Sequence, residues 1–169
     1  MELMNNMDFK LKEITYDGDL LTSNADIICH QVNPYAMGAG IAKQIKEKYP
    51  RVYQKFKEAS DKGLIKLGTC QVIKTNPGSE NNKLVANLCG QEKISNTGER
   101  CTNYEGIYCA LKKLADYCKT NNIQSVAFPK YMSCGLGGAD WWIIVAMIES
   151  VFKELEILIE YWNYKKTSD

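Results

Sequence analysis

Short apolar segments with strand-like patterns alternate along the chain with segments of helical periodicity, and this alternation constrains the fold most strongly. The patterns predict the order strand, strand, helix, helix, strand, strand, helix, strand, helix, strand. Interleaved strands and helices are typical of α/β folds, in which helices cover both faces of a central sheet. We therefore predict an α/β fold of three layers, α/β/α, with a mixed central sheet.

The strand predictions rest on compact apolar runs or on alternating apolar residues. They cover residues 9–16, 25–32, 68–74, 83–88, 125–128 and 157–161. The helix predictions rest on apolar residues spaced three and four positions apart. They cover 41–49, 52 to about 63, 104–118 and 140–155.

The length of 169 residues fits one domain, which we predict over residues 1–169 with short flexible ends at about 1–8 and 165–169. The net charge of +1 argues against bulk nucleic-acid binding, which usually needs a basic face. The amino terminus has no signal-peptide pattern, and no apolar window is long enough to span a membrane. These features predict a cytoplasmic protein without membrane partners, and they leave the oligomeric state open.

The seven cysteines form no C-x-x-C pair, and the chain has a single histidine. Several of the cysteines lie in apolar runs, as buried free thiols do. A structural zinc site would need three or four scattered cysteines, so we predict no metal site. A reducing compartment is consistent with this cysteine usage.

The loops that follow the strands are the candidates for function, because ligands of such sheets bind beyond the carboxyl ends of the strands. The first candidate loop leads from His30-Gln31-Val32-Asn33 into Met37-Gly38-Ala39-Gly40-Ile41-Ala42. Glycines let the main chain approach a ligand, and the N–H groups at the start of the following helix favour an anion. The loop suits a phosphate or a ribose, but a plain strand–turn–helix connection would carry the same glycines.

The second candidate loop runs from Tyr131 to Asp140 and holds three glycines in four positions, Gly135 to Gly138. Successive N–H groups in such a turn form a concave site for an anion. Asp140 either caps the following helix or provides a carboxylate beside a bound phosphate. Packing is the simpler role for Cys134 within this loop.

Several single residues also have two interpretations each. His30 is either a buried core residue or a general acid or base beside the anion loops. Asp19 either bonds its own backbone in a turn or accepts a hydrogen bond from an adenine amino group. Tyr161 and Trp162 end the last strand, where a ring packs in the core or stacks on a base.

Together these segments resemble the macrodomain family over about residues 11–162. The resemblance rests on Met-Gly-x-Gly-Ile-Ala in the first loop, Cys-Gly-Leu-x-Gly-x-Asp-Trp in the second, and Gly18-Asp19-Leu20. It is strongest to the group that includes ADP-ribose 1''-phosphate phosphatases and terminal ADP-ribose–glutamate hydrolases. The stretch Leu88-Cys89-Gly90-Gln91 lacks the lysine that lysine-dependent hydrolases use, and Gly137 stands where they often carry an acid.

The resemblance implies an ADP-ribose pocket that requires neither metal nor cofactor, with ADP-ribose or an ADP-ribosylated substrate as the partner. It implies that Asp19 and the Leu20 backbone hold the adenine, and that Tyr161, or as the alternative Trp162, packs on the base. The contacts implied for the distal ribose and the diphosphate are Gly38, Ala39, Gly40, Ile41, Ser133, Cys134, Gly135, Leu136 and Gly137.

The resemblance also implies His30 and Asp140 as catalytic residues, because matching residues are implicated in the phosphatase group, with Asn33 beside the distal ribose. The leading hypothesis is thus an ADP-ribose 1''-phosphate phosphatase. The alternatives are a hydrolase that removes ADP-ribose from protein, nucleic acid or an ester, a non-catalytic ADP-ribose reader, and an unrelated α/β domain.

Overall fold

Six strands form one mixed sheet in a computed structural model that describes residues 11–95 and 97–165. The strands are β1 (Leu11–Asp17), β2 (Ile27–Val32), β3 (Cys70–Lys74), β4 (Leu84–Cys89), β5 (Ser125–Pro129) and β6 (Ile157–Asn163). Their order in the sheet is β1-β6-β5-β2-β4-β3. All pairings are parallel except that of β3 with β4, which confirms the predicted mixed sheet.

Helices cover both faces of the sheet, which confirms the three-layer prediction. They are α1 (Gly40–Lys48), α2 (Pro50–Asp61), α3 (Tyr104–Thr120) and α4 (Trp141–Phe152). One apolar core lies under α1 and α2, and a second lies under α3 and α4. None of the helices in the described ranges is both long and apolar enough to cross a membrane.

Strand β2 lies in the middle of the sheet and packs on both cores. Ile27 and Cys29 belong to the core under α3 and α4, whereas Ile28 and Val32 belong to the core under α1 and α2. Successive side chains of a strand point to opposite faces, so the start of β2, Ile27 to Cys29, is apolar on both faces. This explains the continuous apolar run from which the strand was predicted.

The observed bounds differ from the predicted ones mainly at the ends of elements. β2 begins at Ile27 rather than at Ala25, and α4 begins after Asp140 and ends at Phe152 rather than at Leu155. A short 3-10 helix over Leu20–Thr22 was not predicted; it follows a turn that Asp19 caps. Phe9 and the predicted flexible ends lie outside the described residues, apart from Lys165.

Candidate functional site

Both glycine-rich loops line one cavity of about 420 Å³ at the edge of the sheet where the parallel strands end. The first loop follows β2, the second follows β5, and the segment after β4 closes a third side. The lining consists of 31–33, Ala36, 38–42, Gln91, 94–95, 129–133 and 135–137. The position agrees with the general rule that ligands of parallel sheets bind beyond the carboxyl ends of the strands.

The first loop ends in a helix start that no side chain caps. Ala39 is the N-cap residue of α1 and makes no side-chain hydrogen bond to the helix. Asn33 shapes the turn before it, because its Oδ1 accepts hydrogen bonds from Tyr35 N at 2.8 Å and Ala36 N at 2.9 Å. Gly40 has a φ of +57°, which favours glycine, and a Cβ there would meet only open space. The first N–H groups of α1 therefore face the cavity without a side-chain acceptor.

The second loop holds two non-glycine residues in the left-handed region of backbone conformation. Tyr131 has a φ of +67° and Ser133 a φ of +71°. Such conformations cost about 1–3 kcal/mol each, and they persist only where surrounding contacts enforce them. Ser133 is held by its carbonyl oxygen, which accepts hydrogen bonds from Ala139 N at 2.9 Å and from Thr102 Oγ1 at 3.1 Å.

A ring of polar side chains lies beneath the second loop. Gln31 Nε2 donates to Gln91 Oε1 at 2.7 Å and to Thr102 Oγ1 at 2.9 Å. Ser133 Oγ donates to Gln31 Oε1 at 2.6 Å. The main chain closes the same junction, since Gly137 O accepts hydrogen bonds from the N–H groups of Cys101 and Thr102, both at 2.9 Å. Two loops, the β4–α3 connection and the second glycine-rich loop, therefore meet at Gln31.

The described lining of the cavity carries no carboxylate and no imidazole, and Lys130 is its one charged side chain. The Lys130 ammonium lies 5.2 Å from the centroid of the Tyr131 ring. A cavity of main-chain N–H groups, amides and a single cation suits an anion. In the ranges that the structure describes, no three His, Cys, Asp or Glu side chains are placed to hold a metal ion.

His30 is fully buried and is not part of the cavity lining. Its Nε2 lies 2.6 Å from Asn87 Oδ1 on the neighbouring strand, and its Nδ1 has no partner. Burial lowers the pKa of the imidazole to about 4, and the hydrogen bond with Asn87 opposes this shift. The ring is therefore neutral at pH 7, whereas the two residues Val32 and Asn33 that end the same segment do line the cavity.

Asp140 is the N-cap of α4, where its Oδ1 accepts a hydrogen bond from Trp142 N at 2.9 Å. Its carboxylate is exposed and is not part of the cavity lining. Cys134 is half-buried outside the lining, and its Sγ donates to Met132 O at 3.2 Å. Burial, reinforced by the nearby Asp140 charge, raises the pKa of this thiol to about 11, so the thiol is protonated at neutral pH.

The residues predicted for the adenine end also lie outside the lining of the cavity. Asp19 caps the 3-10 helix, with Oδ1 accepting from Leu21 N at 2.9 Å, and Leu20 is buried. Tyr161 is buried against Phe128 and Trp141, and its hydroxyl donates to Glu13 at 2.9 Å. Because β1 runs parallel to β5 and β6, Asp19 nevertheless lies at the same edge of the sheet as the cavity.

The structure thus brings together Asn33, the first glycine loop, Ser133 and residues 135–137 around one cavity, whereas His30 and Asp140 are not among its lining residues. The sequence alone predicted no ligand contact for Gln31, Gln91, Thr102, Ile94 or Lys130. Gln31 had a recognisable signal, because a polar residue between two buried strand positions needs a partner. The segment after β4 was noted only for a lysine that it lacks, so only the fold could place Gln91 and Ile94 at the cavity.

Comparisons with known proteins agree with this architecture. The chain is 25% identical over 157 residues to a DNA ADP-ribosyl transferase–DNA ADP-ribosyl glycohydrolase fusion protein of Thermosipho africanus, covering 86% of this chain and 40% of that protein. It is 27% identical over 161 residues to the ADP-ribose glycohydrolase OARD1 of Homo sapiens, covering 94% of this chain and 96% of that protein. Only part of the bacterial relative, about two fifths of its length, is therefore matched.

The fold has a solved counterpart in the macrodomain of Mycobacterium tuberculosis DarG. The two structures superpose with a TM-score of 0.77 at 26% sequence identity, over 92% of this chain and 98% of that one. The family model described as Macro domain matches residues 25–148, which include β2, both glycine-rich loops and most of α4. The chain therefore belongs to the Macro domain family.

Proposed function

We propose that the cavity binds ADP-ribose and that the protein is a hydrolase that removes ADP-ribosyl groups from a macromolecule. The observation that carries this proposal is the pairing of two main-chain anion sites, the uncapped start of α1 and the loop 131–138, across one cavity without a lining carboxylate. A diphosphate carries its negative charge in the middle of an elongated ligand, where opposed N–H groups can bind both phosphates.

The volume and the polarity of the cavity also suit the parts of ADP-ribose other than its diphosphate. About 420 Å³ falls within the range of small-molecule sites, which are mostly apolar with a few placed polar groups. Asn33 accepts with its Oδ1 from the turn and uses one amide hydrogen on Ala36 O at 3.3 Å. One Nδ2 hydrogen therefore stays available for a ribose hydroxyl.

The hydrolytic part of the proposal rests on the relatives, several of which are named ADP-ribosyl or ADP-ribose glycohydrolases. The phosphatase hypothesis has less support, because it assigns acid–base chemistry to His30 and Asp140. A general acid or base must come within hydrogen-bond reach of the reacting atom. His30 is fully buried, Asp140 caps a helix, and neither residue lines the cavity where a ligand would react.

Calorimetry with ADP-ribose, followed by a substrate panel, tests the proposal. The panel contains an ADP-ribosylated DNA oligonucleotide, an ADP-ribosylated protein and ADP-ribose 1''-phosphate, and chromatography measures the ADP-ribose released. We expect binding of ADP-ribose and its release from at least one macromolecular substrate. No binding at millimolar ADP-ribose would contradict the proposal, and release only from the 1''-phosphate would instead establish the phosphatase.

A pair of matched glycine variants locates the binding site in the same experiment. Gly40 and Gly78 both have positive φ, and both have open space where a Cβ would be built. Alanine costs about 1–2 kcal/mol of backbone strain at either position, because L-residues disfavour the left-handed region. We expect Gly40→Ala to weaken ADP-ribose binding at least about tenfold, since the start of α1 moves, whereas Gly78→Ala in the β3–β4 connection keeps the affinity.

A non-catalytic ADP-ribose reader is the second candidate function, and one observation favours it. The described lining of the cavity contains no carboxylate or imidazole that could act as a general acid or base. Binding of ADP-ribose without release from any substrate in the panel would establish the reader.

A further inference from the structure

We propose that Gln31 is a positioning residue that holds the loop 131–138 in its anion-binding conformation, so that Gln31 sets the affinity for the diphosphate without bonding to it. The inference rests on the proposed function. It is carried by the hydrogen bonds of the Gln31 amide, by two glycines that enclose this amide, and by the left-handed backbone of Ser133.

The amide of Gln31 has no hydrogen left for a ligand. Its two Nε2 hydrogens go to Gln91 Oε1 and Thr102 Oγ1, and its Oε1 accepts from Ser133 Oγ. The Ser133 hydroxyl in turn uses its only hydrogen on Gln31. Although both residues line the cavity, neither side chain can donate to a phosphate in this arrangement. Apart from the Tyr131 hydroxyl, the donors of the second loop at the cavity are therefore its main-chain N–H groups.

Two glycines leave the space that the Gln31 amide occupies. A Cβ at Gly90 would collide with Gln31 Oε1 and lie 2.9 Å from Ile107 Cβ. A Cβ at Gly137 would collide with Thr102 Oγ1 and would lie 2.5 Å from Ser133 O and 3.1 Å from Gln31 Nε2. The amide is thus enclosed between the segment after β4 and the second loop. A side chain so enclosed has one conformation and transmits its position to both loops.

The same contacts keep Ser133 in a conformation that it would otherwise leave. Its φ of +71° is unfavourable for a residue with a Cβ. Gln31 fixes Ser133 directly through Oγ and indirectly through Thr102, which accepts from Gln31 and donates to Ser133 O. Without the Gln31 amide, Ser133 can relax to a negative φ, and the peptide groups that follow turn away from the cavity.

Gln31→Met tests the proposal, because methionine keeps the length of the side chain and removes all its hydrogen bonds. We expect the Kd for ADP-ribose, measured by calorimetry, to rise about tenfold, equivalent to about 1.4 kcal/mol. The matched control is Gln71→Met. Gln71 is also a half-buried strand glutamine with amide hydrogen bonds, to Asn87 Nδ2 and Lys55 O, but it does not line the cavity. We expect Gln71→Met to keep the affinity.

A second substitution separates positioning from a general loss of stability. Glycine adopts a positive φ without strain. With Ser133→Gly, the loop therefore no longer needs the Gln31 hydrogen bonds to keep a positive φ at this position. We expect the double variant Gln31→Met/Ser133→Gly to bind ADP-ribose several-fold more tightly than Gln31→Met alone. Equal affinities of the single and double variants, or an unchanged Kd in Gln31→Met, would overturn the proposal.

Hydrogen exchange without ligand keeps this test independent of the proposed function. Cys134 N bonds to Tyr131 O, Gly138 N to Gly135 O and Ala139 N to Ser133 O, so these amides report on the loop. We expect them to exchange about tenfold faster in Gln31→Met, and unchanged exchange rates would overturn the positioning role. If the wild-type protein binds no ADP-ribose, the proposed function fails, and the exchange rates alone decide the role of Gln31.

Discussion

The two glycine-rich loops that line the cavity both connect a strand to a helix. They differ in whether a side chain caps the first N–H groups of that helix. In the first loop Ala39 leaves α1 without a side-chain cap, and the open N–H groups face the cavity. In the second loop Asp140 caps α4 with its own carboxylate, outside the cavity lining. The second loop instead contributes a main chain held by Gln31 and Thr102.

This difference shows that similar glycine content supports two kinds of anion site. One uses the unsatisfied N–H groups of a helix, which need no support beyond the helix itself. The other uses a strained loop, which needs contacts from outside the loop to persist. The two loops should therefore respond differently to substitution, and the following variants test this from the largest expected effect to the smallest.

Gly137→Ala should have the largest effect, because the added Cβ collides with Thr102 Oγ1 and displaces the second loop. We expect the Kd for ADP-ribose to rise at least about a hundredfold, equivalent to about 2.7 kcal/mol, measured by calorimetry. The control is Gly78→Ala, which lies outside the cavity lining and where a Cβ would have no neighbour within 4 Å. Near-wild-type affinity in Gly137→Ala would show that the loop does not depend on its contact with Thr102.

Acidification should lower the free energy of unfolding through His30, which lies in β2, the strand from which the first loop starts. Burial lowers the pKa of His30 to about 4, so the unfolded chain, with a histidine pKa of about 6.5, binds this proton more readily. The stabilisation is complete above pH 6.5 and is lost as the pH falls toward 4. Between pH 7 and pH 5 we expect His30 to account for a decrease of about 2 kcal/mol in the free energy of unfolding, measured with urea.

His30→Leu provides the control for this titration, since it removes the ionisable group. Its absolute stability differs, because Asn87 loses a partner, but the free energy of unfolding should change less between pH 7 and pH 5 than in the wild type. An identical pH dependence in the two proteins would exclude His30 as the source.

Ala39→Asp should give α1 a side-chain N-cap like the one that Asp140 provides for α4 after the second loop. The backbone of Ala39, with φ −148° and ψ 161°, is extended, as an N-cap residue requires. An aspartate there should raise the free energy of unfolding by about 1 kcal/mol, measured with urea. It should also weaken ADP-ribose binding about tenfold, because the added carboxylate accepts hydrogen bonds from the free N–H groups of α1 and repels an anionic ligand. A gain in both stability and affinity would contradict the assignment of this helix start to an anion.

Asp140→Ala should have the smallest effect. Loss of the α4 cap is expected to cost about 1 kcal/mol of stability, with a change in ADP-ribose affinity of less than about threefold. Asp140→Asn serves as control, because asparagine caps equally well but carries no charge. A turnover that falls at least about a hundredfold in both variants, while ADP-ribose still binds, would assign Asp140 to catalysis instead.

The sequence predicted the parts of the site whose conformation depends on a few consecutive residues. Gly40 has a positive φ, and its loop joins a strand to a helix, which glycine spacing and helical periodicity indicate without knowledge of the fold. The surroundings of His30, Asp140 and Tyr161 were not predictable in this way. Each had two chemically reasonable roles, and the choice depends on which elements pack beside the residue.

The order of apolar and amphipathic segments by itself determined that the chain forms a three-layer α/β fold with both glycine-rich loops beyond the strand ends. That information is local, because strand and helix periodicities appear over a few consecutive residues. Only the tertiary structure decided that Gln31, Thr102 and Ser133 join in one hydrogen-bonded ring, and that His30 is fully buried and does not line the cavity. These residues are up to 102 positions apart, and contacts at such separations depend on how the strands are ordered in the sheet.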